Sequence, residues 1–349
     1  MPPLGRPGGR GGRRRLKLAV LATALVAVLS SCVSNARDTT LKAKGPVARQ
    51  LNHLFIPVFW MAAGVFCLVA GLVMFAVFRF RARSDDEAPK QIHGNTTFEL
   101  AWTIIPALLL AGIAIPTVKM VFDINRIPKG AMTINVTGHR WWWQYDYTDT
   151  ANTTKVLFST ANEMHIPAGQ KIVLTLTSDD VIHNFWPPAL AGKVYAIPGR
   201  TNHMVIEADN PGTYYGQCAE YCGTSHANMR LQIVAQSPQD FQAWEAGQQQ
   251  GPAQPAANGD AAAGLALFKS SGCAGCHSIT GISSGVVGPN LTHFKSRAVF
   301  AGSIFQNTDP NLRAWLLNPP AEKPGSVMPN LGLTEAQVTD LIAYLDTLH

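Results

Sequence analysis

Two uncharged apolar runs constrain this chain more than any other feature. Residues 50–78 contain no Asp, Glu, Lys or Arg, and neither do residues 100–118. A helix needs about 20 residues to cross the bilayer core, and both runs are of that order. The second carries Pro106 and Pro116, which a packed membrane helix tolerates because neighbouring groups satisfy the freed backbone. Burial as core helices of a soluble domain fits these lengths poorly. The chain is therefore expected to insert as a hairpin, with spans at about 54–78 and 99–120. The charged share is only 14%, against roughly 25% in an ordinary soluble domain. That deficit suits a membrane protein and excludes a disordered chain.

The N-terminus reads as an address. Residues 1–17 are Gly/Arg-rich and residues 18–31 are apolar, then small, which is the plan of a secretory signal. The segment ends Leu29-Ser30-Ser31-Cys32, which resembles the lipobox of bacterial lipoproteins and implies cleavage before Cys32 and lipid on its sulfur. A plain signal peptide with an incidental Cys is the alternative. Six of the 28 bases lie in residues 1–31, where there is no acid; the remaining 22 balance 22 acids. The high pI thus belongs to the leader, and no nucleic-acid partner is expected. Four bases precede the first run (32–49) and four follow it (79–98), so the positive-inside rule does not decide orientation. The signal does: Cys32 starts outside, and everything after about residue 122 lies outside the cytoplasm.

Residues 130–236 alternate in the manner of strands, with β-branched runs at Thr133–Val136, Lys171–Thr177, His203–Ile206 and Leu231–Val234. Gly, Pro and Asn punctuate them, as in a small all-β barrel or sandwich. Residues 246–260 are rich in Gln, Pro, Ala and Gly without apolar pattern and read as a linker. Helical patterns follow at Ala261–Lys269, Pro310–Leu317 and Thr334–Leu348. The last has a 3.6-period stripe of Val338, Leu341, Ile342 and Leu345, with Thr334 as its N-cap.

Soft ligands cluster in the β region. Cys218, Cys222, His226 and Met229 fall within twelve residues, and His183 lies 35 residues before Cys218. Thiolate, imidazole and thioether suit copper rather than a hard cation. Two thiolates four apart can bridge two coppers, one imidazole on each. A Cys218–Cys222 disulfide and a structural zinc site are the alternatives. A second motif, Cys273-Ala274-Gly275-Cys276-His277, is a c-type haem attachment site, with a CxxC redox pair as its alternative. His277 is the proximal ligand. Met328 is the expected sixth ligand, and His293 is the alternative.

On these residues, positions 50–236 resemble subunit II of a haem–copper cytochrome c oxidase, and residues 260–349 resemble bacterial class I cytochromes c. The resemblance implies a two-helix transmembrane hairpin, a cupredoxin-like all-β barrel or sandwich, and an all-α cytochrome c domain. It implies a binuclear copper centre, CuA, on His183, Cys218, Cys222, His226 and Met229. Glu220 adds its backbone carbonyl, and its side chain is implied to bind a magnesium shared with the catalytic subunit. Gly138-His139-Arg140-Trp141-Trp142-Trp143-Gln144-Tyr145-Asp146-Tyr147 is similar to the family's aromatic run, which implies that electrons from cytochrome c come in at Trp141; a membrane-interface belt is the plainer reading, and the two are compatible because the segment lies close to the outer surface. Glu99 matches a glutamate at the mouth of a proton channel, with an ordinary helix-start acid as the alternative. One departure is Tyr195, in Lys193-Val194-Tyr195 before Ile197-Pro198-Gly199, where family members often carry an acid.

The expected organisation is a signal peptide (1–31), an N-terminal segment with two membrane helices (32–122), a CuA domain (123–240), a linker (246–260) and a c-type cytochrome domain (261–349). The resemblance implies subunit II of a caa-type oxidase in a bacterial plasma membrane, its two redox domains on the outer face. Its cofactors would be two coppers, one covalent haem c and a magnesium. Its partners would be subunit I with its haem and CuB, subunit III, and an external donor, either another cytochrome c or a quinol-oxidising complex. A free-standing membrane-anchored carrier and a nitrous-oxide-reductase-like use of CuA are the rival readings. The membrane hairpin with Glu99 at its inner end speaks against both.

Overall fold

The computed structural model describes residues 20, 23, 36–81, 93–252 and 260–349. Cys32, nearly all of the predicted signal segment and the middle of the predicted linker lie outside these residues. Thr40–His349 form one compact unit.

Two helices are long and apolar enough to cross a membrane: α1 (Pro46–Arg79) and α2 (Thr96–Ile124). Large apolar side chains such as Phe66, Phe78, Leu108 and Ile115 stand exposed on them, as a lipid-facing surface requires. Helix α2 starts under an Asn95 cap, whose side chain accepts from the N–H groups of Thr97 at 3.0 Å and Phe98 at 3.3 Å. Helix α1 begins well before the expected span. Its first turn is fixed to the soluble part of the chain. Ala48 N–H donates to Leu190 O at 3.2 Å, and Asp209 N–H donates to Lys44 O at 2.9 Å. The Arg49 guanidinium pairs with the Asp209 carboxylate beside them.

The β region is a sandwich of two five-stranded sheets. The first sheet contains β1 (Met132–His139), β2 (Trp142–Thr148), β3 (Val156–Ala161), β5 (Ile172–Ser178) and β8 (Asn202–Ile206), in the order β3-β2-β1-β5-β8. The second contains β4 (Glu163–Pro167), β6 (His183–Trp186), β7 (Val194–Ala196), β9 (Gly212–Cys218) and β10 (Arg230–Gln236), in the order β4-β10-β9-β6-β7. The four predicted β-branched runs each lie within or across one of these strands. Strand β2 shows why the register holds. Trp143, Tyr145 and Tyr147 are fully buried between the sheets, while Trp142, Gln144 and Asp146 point the other way. A one-residue slip would turn all three aromatics outward. Each is worth about 4–6 kcal/mol of transfer free energy, taking roughly 150–250 Å² at about 25 cal/mol/Å², so no such slip competes.

Helix α3 (Pro238–Gln248) follows the sandwich. It runs three residues into the segment expected to be linker, and Gln248 is buried. The reason is tertiary. Phe241 joins the sandwich core, and Trp244 stacks on His165 with ring centroids 4.2 Å apart. Those two contacts hold a helix that has no continuous apolar stripe.

The C-terminal domain contains α4 (Asp260–Ser270), α5 (Cys273–Cys276), α6 (Asp309–Leu317), α7 (Pro319–Glu322) and α8 (Glu335–Leu345). Thr334 caps α8 as expected, and Gln337 reciprocates to complete a capping box. The predicted stripe of Val338, Leu341, Ile342 and Leu345 is buried. Helices α4 and α8 cross at Gly264, where a Cβ would fall 2.0 Å from the backbone oxygen of Asp340. Gly264→Ala is therefore expected to destabilise this domain by about 1–3 kcal/mol. That corresponds to a fall of roughly 5 °C or more in its unfolding midpoint, read by calorimetry of the full chain in detergent with the sandwich transition unmoved. An unchanged midpoint would contradict the close crossing.

Candidate metal and haem centres

The end of β9 and the loop after it carry most of the soft ligands. Strand β6 lies beside β9, with Phe185 opposite Cys218. That register closes the 35-residue gap between His183 and the cysteines. His183 Nδ1 lies 3.9 Å from Cys218 Sγ, and the two sulfurs lie 3.8 Å apart. Cys222 Sγ lies 3.5 Å from His226 Nδ1 and 3.9 Å from Met229 Sδ. The Glu220 carbonyl oxygen is 3.3 Å from Cys218 Sγ. The structure thus brings together all six predicted copper-site residues. Both thiols are free and buried, at nearly twice the ~2.05 Å of a disulfide bond, so the disulfide alternative fails.

The ligand atoms are arranged in two groups. Those of His183, Cys218 and Cys222 lie within 4.8 Å of one another, and among the described residues His226 does not join that set. One imidazole therefore belongs to each end of the sulfur pair.

A carboxylate missed in the sequence reading orients the first imidazole. Asp180 Oδ1 lies 2.8 Å from His183 Nε2, so Nε2 carries the hydrogen and Nδ1 is left as the ligand atom. Burial works against the Asp180 charge. Hydrogen bonds from His183, Val181 N–H and Arg140 N–H outweigh it and hold the carboxyl well below the usual range. Burial would likewise lower His183, but its bonds to Asp180 and Cys218 raise it. The hydrogen bond between the thiols pushes Cys218 down towards the thiolate and, with burial, moves Cys222 up. Asp180 sits three residues before His183, a local signal that could have been read.

In the C-terminal domain, Cys273, Cys276 and His277 line one side of an apolar cavity and Met328 lines it as well. Leu291, Phe294, Phe300, Trp315 and Leu316 furnish apolar wall. His277 Nδ1–H donates to the Pro289 carbonyl at 2.8 Å, which leaves Nε2 as the ligand nitrogen. Burial lowers the His277 pKa, keeping the ring neutral and ready to ligate. His293 is not placed to compete with Met328. Its Nδ1 is 2.5 Å from His349 O, its Nε2 is 3.0 Å from Gln250 O, and it does not line the cavity.

The donor set fits a covalent haem. Arg297 adds a second sign, since its guanidinium is buried in the cavity wall and its Nε has no partner. A buried cation with an orphaned donor suits an anionic group such as a haem carboxylate. Burial lowers the Arg297 pKa to about 10, which Glu163 opposes. Nothing in the local sequence marked this arginine.

Trp141 connects the two centres. It is only 7% exposed, which sets aside the membrane-belt reading for this residue. Its Nε1–H donates to the Cys222 carbonyl at 3.0 Å, and the residue is among those lining the haem-type cavity. Glu99 lies in the first turn of α2, a place where the helix dipole favours an acid. Tyr195 is exposed on β7.

Family models match the chain along most of its length. Residues 35–120 match the cytochrome c oxidase subunit II transmembrane domain, and residues 151–237 match its periplasmic domain. Residues 261–349 match cytochrome c. The cytochrome c oxidase subunit 2 of Alkalihalophilus pseudofirmus is 37% identical over 93% of this chain and 94% of its own. That of Bacillus sp. (strain PS3) is 32% identical over 78% of this chain and 80% of its own. That of Bacillus subtilis is 29% identical over 94% of this chain and 97% of its own.

Replacing Asp180 by Asn keeps the shape and removes the charge that fixes His183. Copper affinity, measured by chelator competition, is expected to fall about 10–100-fold. Unchanged affinity would mean that His183 is oriented without Asp180.

Proposed function

The chain belongs to the cytochrome c oxidase subunit II family, and from that premise we propose that it is the electron-relay subunit of a caa-type oxidase. A cytochrome c domain implies haem c and a subunit II domain implies CuA copper; when bound, these groups supply the redox chemistry by accepting and releasing single electrons. The chain itself holds, orients and connects them. Cys273 and Cys276 would attach the haem, and His277 and Met328 would ligate its iron. His183, Cys218, Cys222, His226 and Met229 hold the copper pair, with the Glu220 carbonyl as a weak ligand.

The observation that carries this reading is Trp141. One residue both lines the cavity and, through its indole N–H, hydrogen-bonds the backbone of Cys222. It offers a route from the haem domain to the copper site. Two features favour copper over zinc. The imidazoles sit at opposite ends of the thiol pair, and Met229 Sδ lies 3.9 Å from Cys222 Sγ. Zinc prefers four ligands around one point and seldom a thioether.

The complex is the enzyme, and this chain carries no acid, base or nucleophile for oxygen chemistry. An external donor, a cytochrome c or a quinol-oxidising complex, delivers electrons on the outer face. Subunit I, with its haem and CuB, reduces oxygen to water and pumps protons, and subunit III completes the assembly. Glu99, in the first turn of α2, would stand at the mouth of a proton channel, and the Glu220 side chain would help hold a magnesium shared with subunit I. Cys32, after signal cleavage, adds a lipid anchor on the outer face. The linker keeps the haem domain at high effective concentration next to its acceptor.

An electron paramagnetic resonance spectrum of the oxidised, metal-loaded full chain tests the reading. Hyperfine splitting from one electron shared by two coppers, beside a low-spin haem signal, is expected. A single-copper signal, or none with zinc on Cys218 and Cys222, would overturn it. Met328→Ala is expected to abolish the methionine–iron charge-transfer band and lower the haem potential while leaving the copper signal intact. A retained band would move the sixth ligand elsewhere.

A further inference from the structure

The helical domain lies against the sandwich through a set of hydrogen bonds that run from one domain to the other. Arg230 N–H donates to Gly302 O at 2.9 Å. Ala298 N–H donates to the buried carboxylate of Glu163 at 3.0 Å, and Ser303 Oγ donates to Asn162 O at 2.9 Å. Ser225, in the copper-ligand loop, donates its hydroxyl to Pro324 O at 2.5 Å.

Lys323 sits at the centre of this contact. It belongs to the helical domain and is only 4% exposed. Its ammonium donates to the carbonyl of Trp141 at 2.5 Å and to that of Ala301 at 2.8 Å. Burial pushes its pKa down to about 7. A lysine is rarely buried without partners, and its partners here are one carbonyl from each domain. The surroundings are shaped to the contact. Gly302 has φ +82°, and a Cβ there would fall 2.7 Å from Trp141 O and 2.6 Å from Lys323 Nζ. A Cβ on Gly325 would fall 2.8 Å from the Trp141 ring. Small residues thus let the backbone of the helical domain reach the indole.

We propose that Lys323 is a positioning residue that latches the helical domain onto the Trp141 face of the copper-binding domain and so reserves that face for this chain's own haem. The closed contact leaves Trp141 no surface for a free cytochrome c. External donors then reduce the haem of this chain, and the copper site receives its electron from inside the chain. This rests on the relay reading, but the latch itself is testable without any electron transfer.

The test is hydrogen–deuterium exchange on the full metal-loaded chain in detergent. It compares the native protein with Lys323→Met, which keeps the length and removes the donor, and Lys323→Gln, which restores a donor. The amides of Arg230 and Ala298 bond only across the contact, so they report docking. In Lys323→Met their segments are expected to exchange at least tenfold faster, with partial recovery in Lys323→Gln. The segments around Ile233 in β10 and Leu341 in α8 should be unchanged, which separates undocking from general destabilisation. Rapid mixing with reduced soluble cytochrome c gives the second readout. The haem should be reduced before copper in the native chain, and a direct concentration-dependent reduction of copper should appear in Lys323→Met. Equal exchange in native and Lys323→Met protein, or prior reduction of copper in the native chain, would overturn the proposal. Failure to find a copper pair by paramagnetic resonance would overturn the relay and leave the exchange result standing.

Discussion

The indole of Trp141 occupies a slot that no single domain builds. A Cβ on Gly223, in the copper-ligand loop, would fall 3.0 Å from its ring, and Gly325 of the helical domain closes on it from elsewhere. Its ring nitrogen is tied to Cys222 and its carbonyl to Lys323. Burying a large aromatic side chain is worth about 4–6 kcal/mol at about 25 cal/mol/Å², so both domains gain by closing over it. The two candidate centres meet at this residue.

Around that slot the sandwich does the work of placement. The ends of β6 and β9 are held by sheet pairing on a core of Trp143, Tyr145, Phe185 and their neighbours. His183 is buried against Trp143, in an edge-on contact with ring centroids 5.8 Å apart. Its other nitrogen is fixed by Asp180. The sulfurs stand 3.8 Å apart before any metal is considered. Ligands held this firmly need little rearrangement as charge at the site changes, which suits electron transfer. The haem-type cavity obeys the same logic, with Pro289 setting the tautomer of His277.

Much of this architecture was legible from residues alone. The charge-free runs announced α1 and α2, because a bilayer demands length and apolarity that few other environments tolerate. The alternation around Thr133–Val136 and Leu231–Val234 announced strands. The five residues His183, Cys218, Cys222, His226 and Met229 announced a soft-metal site by their chemistry, Glu220 came only through the family resemblance, and CxxCH announced a haem. Local pattern was less informative where tertiary contacts outweighed it. Residues 246–248 looked like linker, yet Phe241 and Trp244 dock their helix on the sandwich. His293 was the alternative to Met328 as sixth ligand, and both its nitrogens are engaged by backbone oxygens of His349 and Gln250.

By itself, the sequence determined the membrane hairpin, the all-β and all-α character of the two domains beyond it, and the inventory of ligands, because these depend on local periodicity and on the chemistry of side chains. Tertiary structure alone decided which partners those side chains have. Nothing in the sequence singles out Lys323, and only the fold buries it against Trp141, 182 residues away in the chain. Arg297 likewise gains its meaning from the cavity it lines. Burial removes water as a hydrogen-bonding partner, so a group's role passes from its own identity to whatever the fold brings within about 3 Å of it.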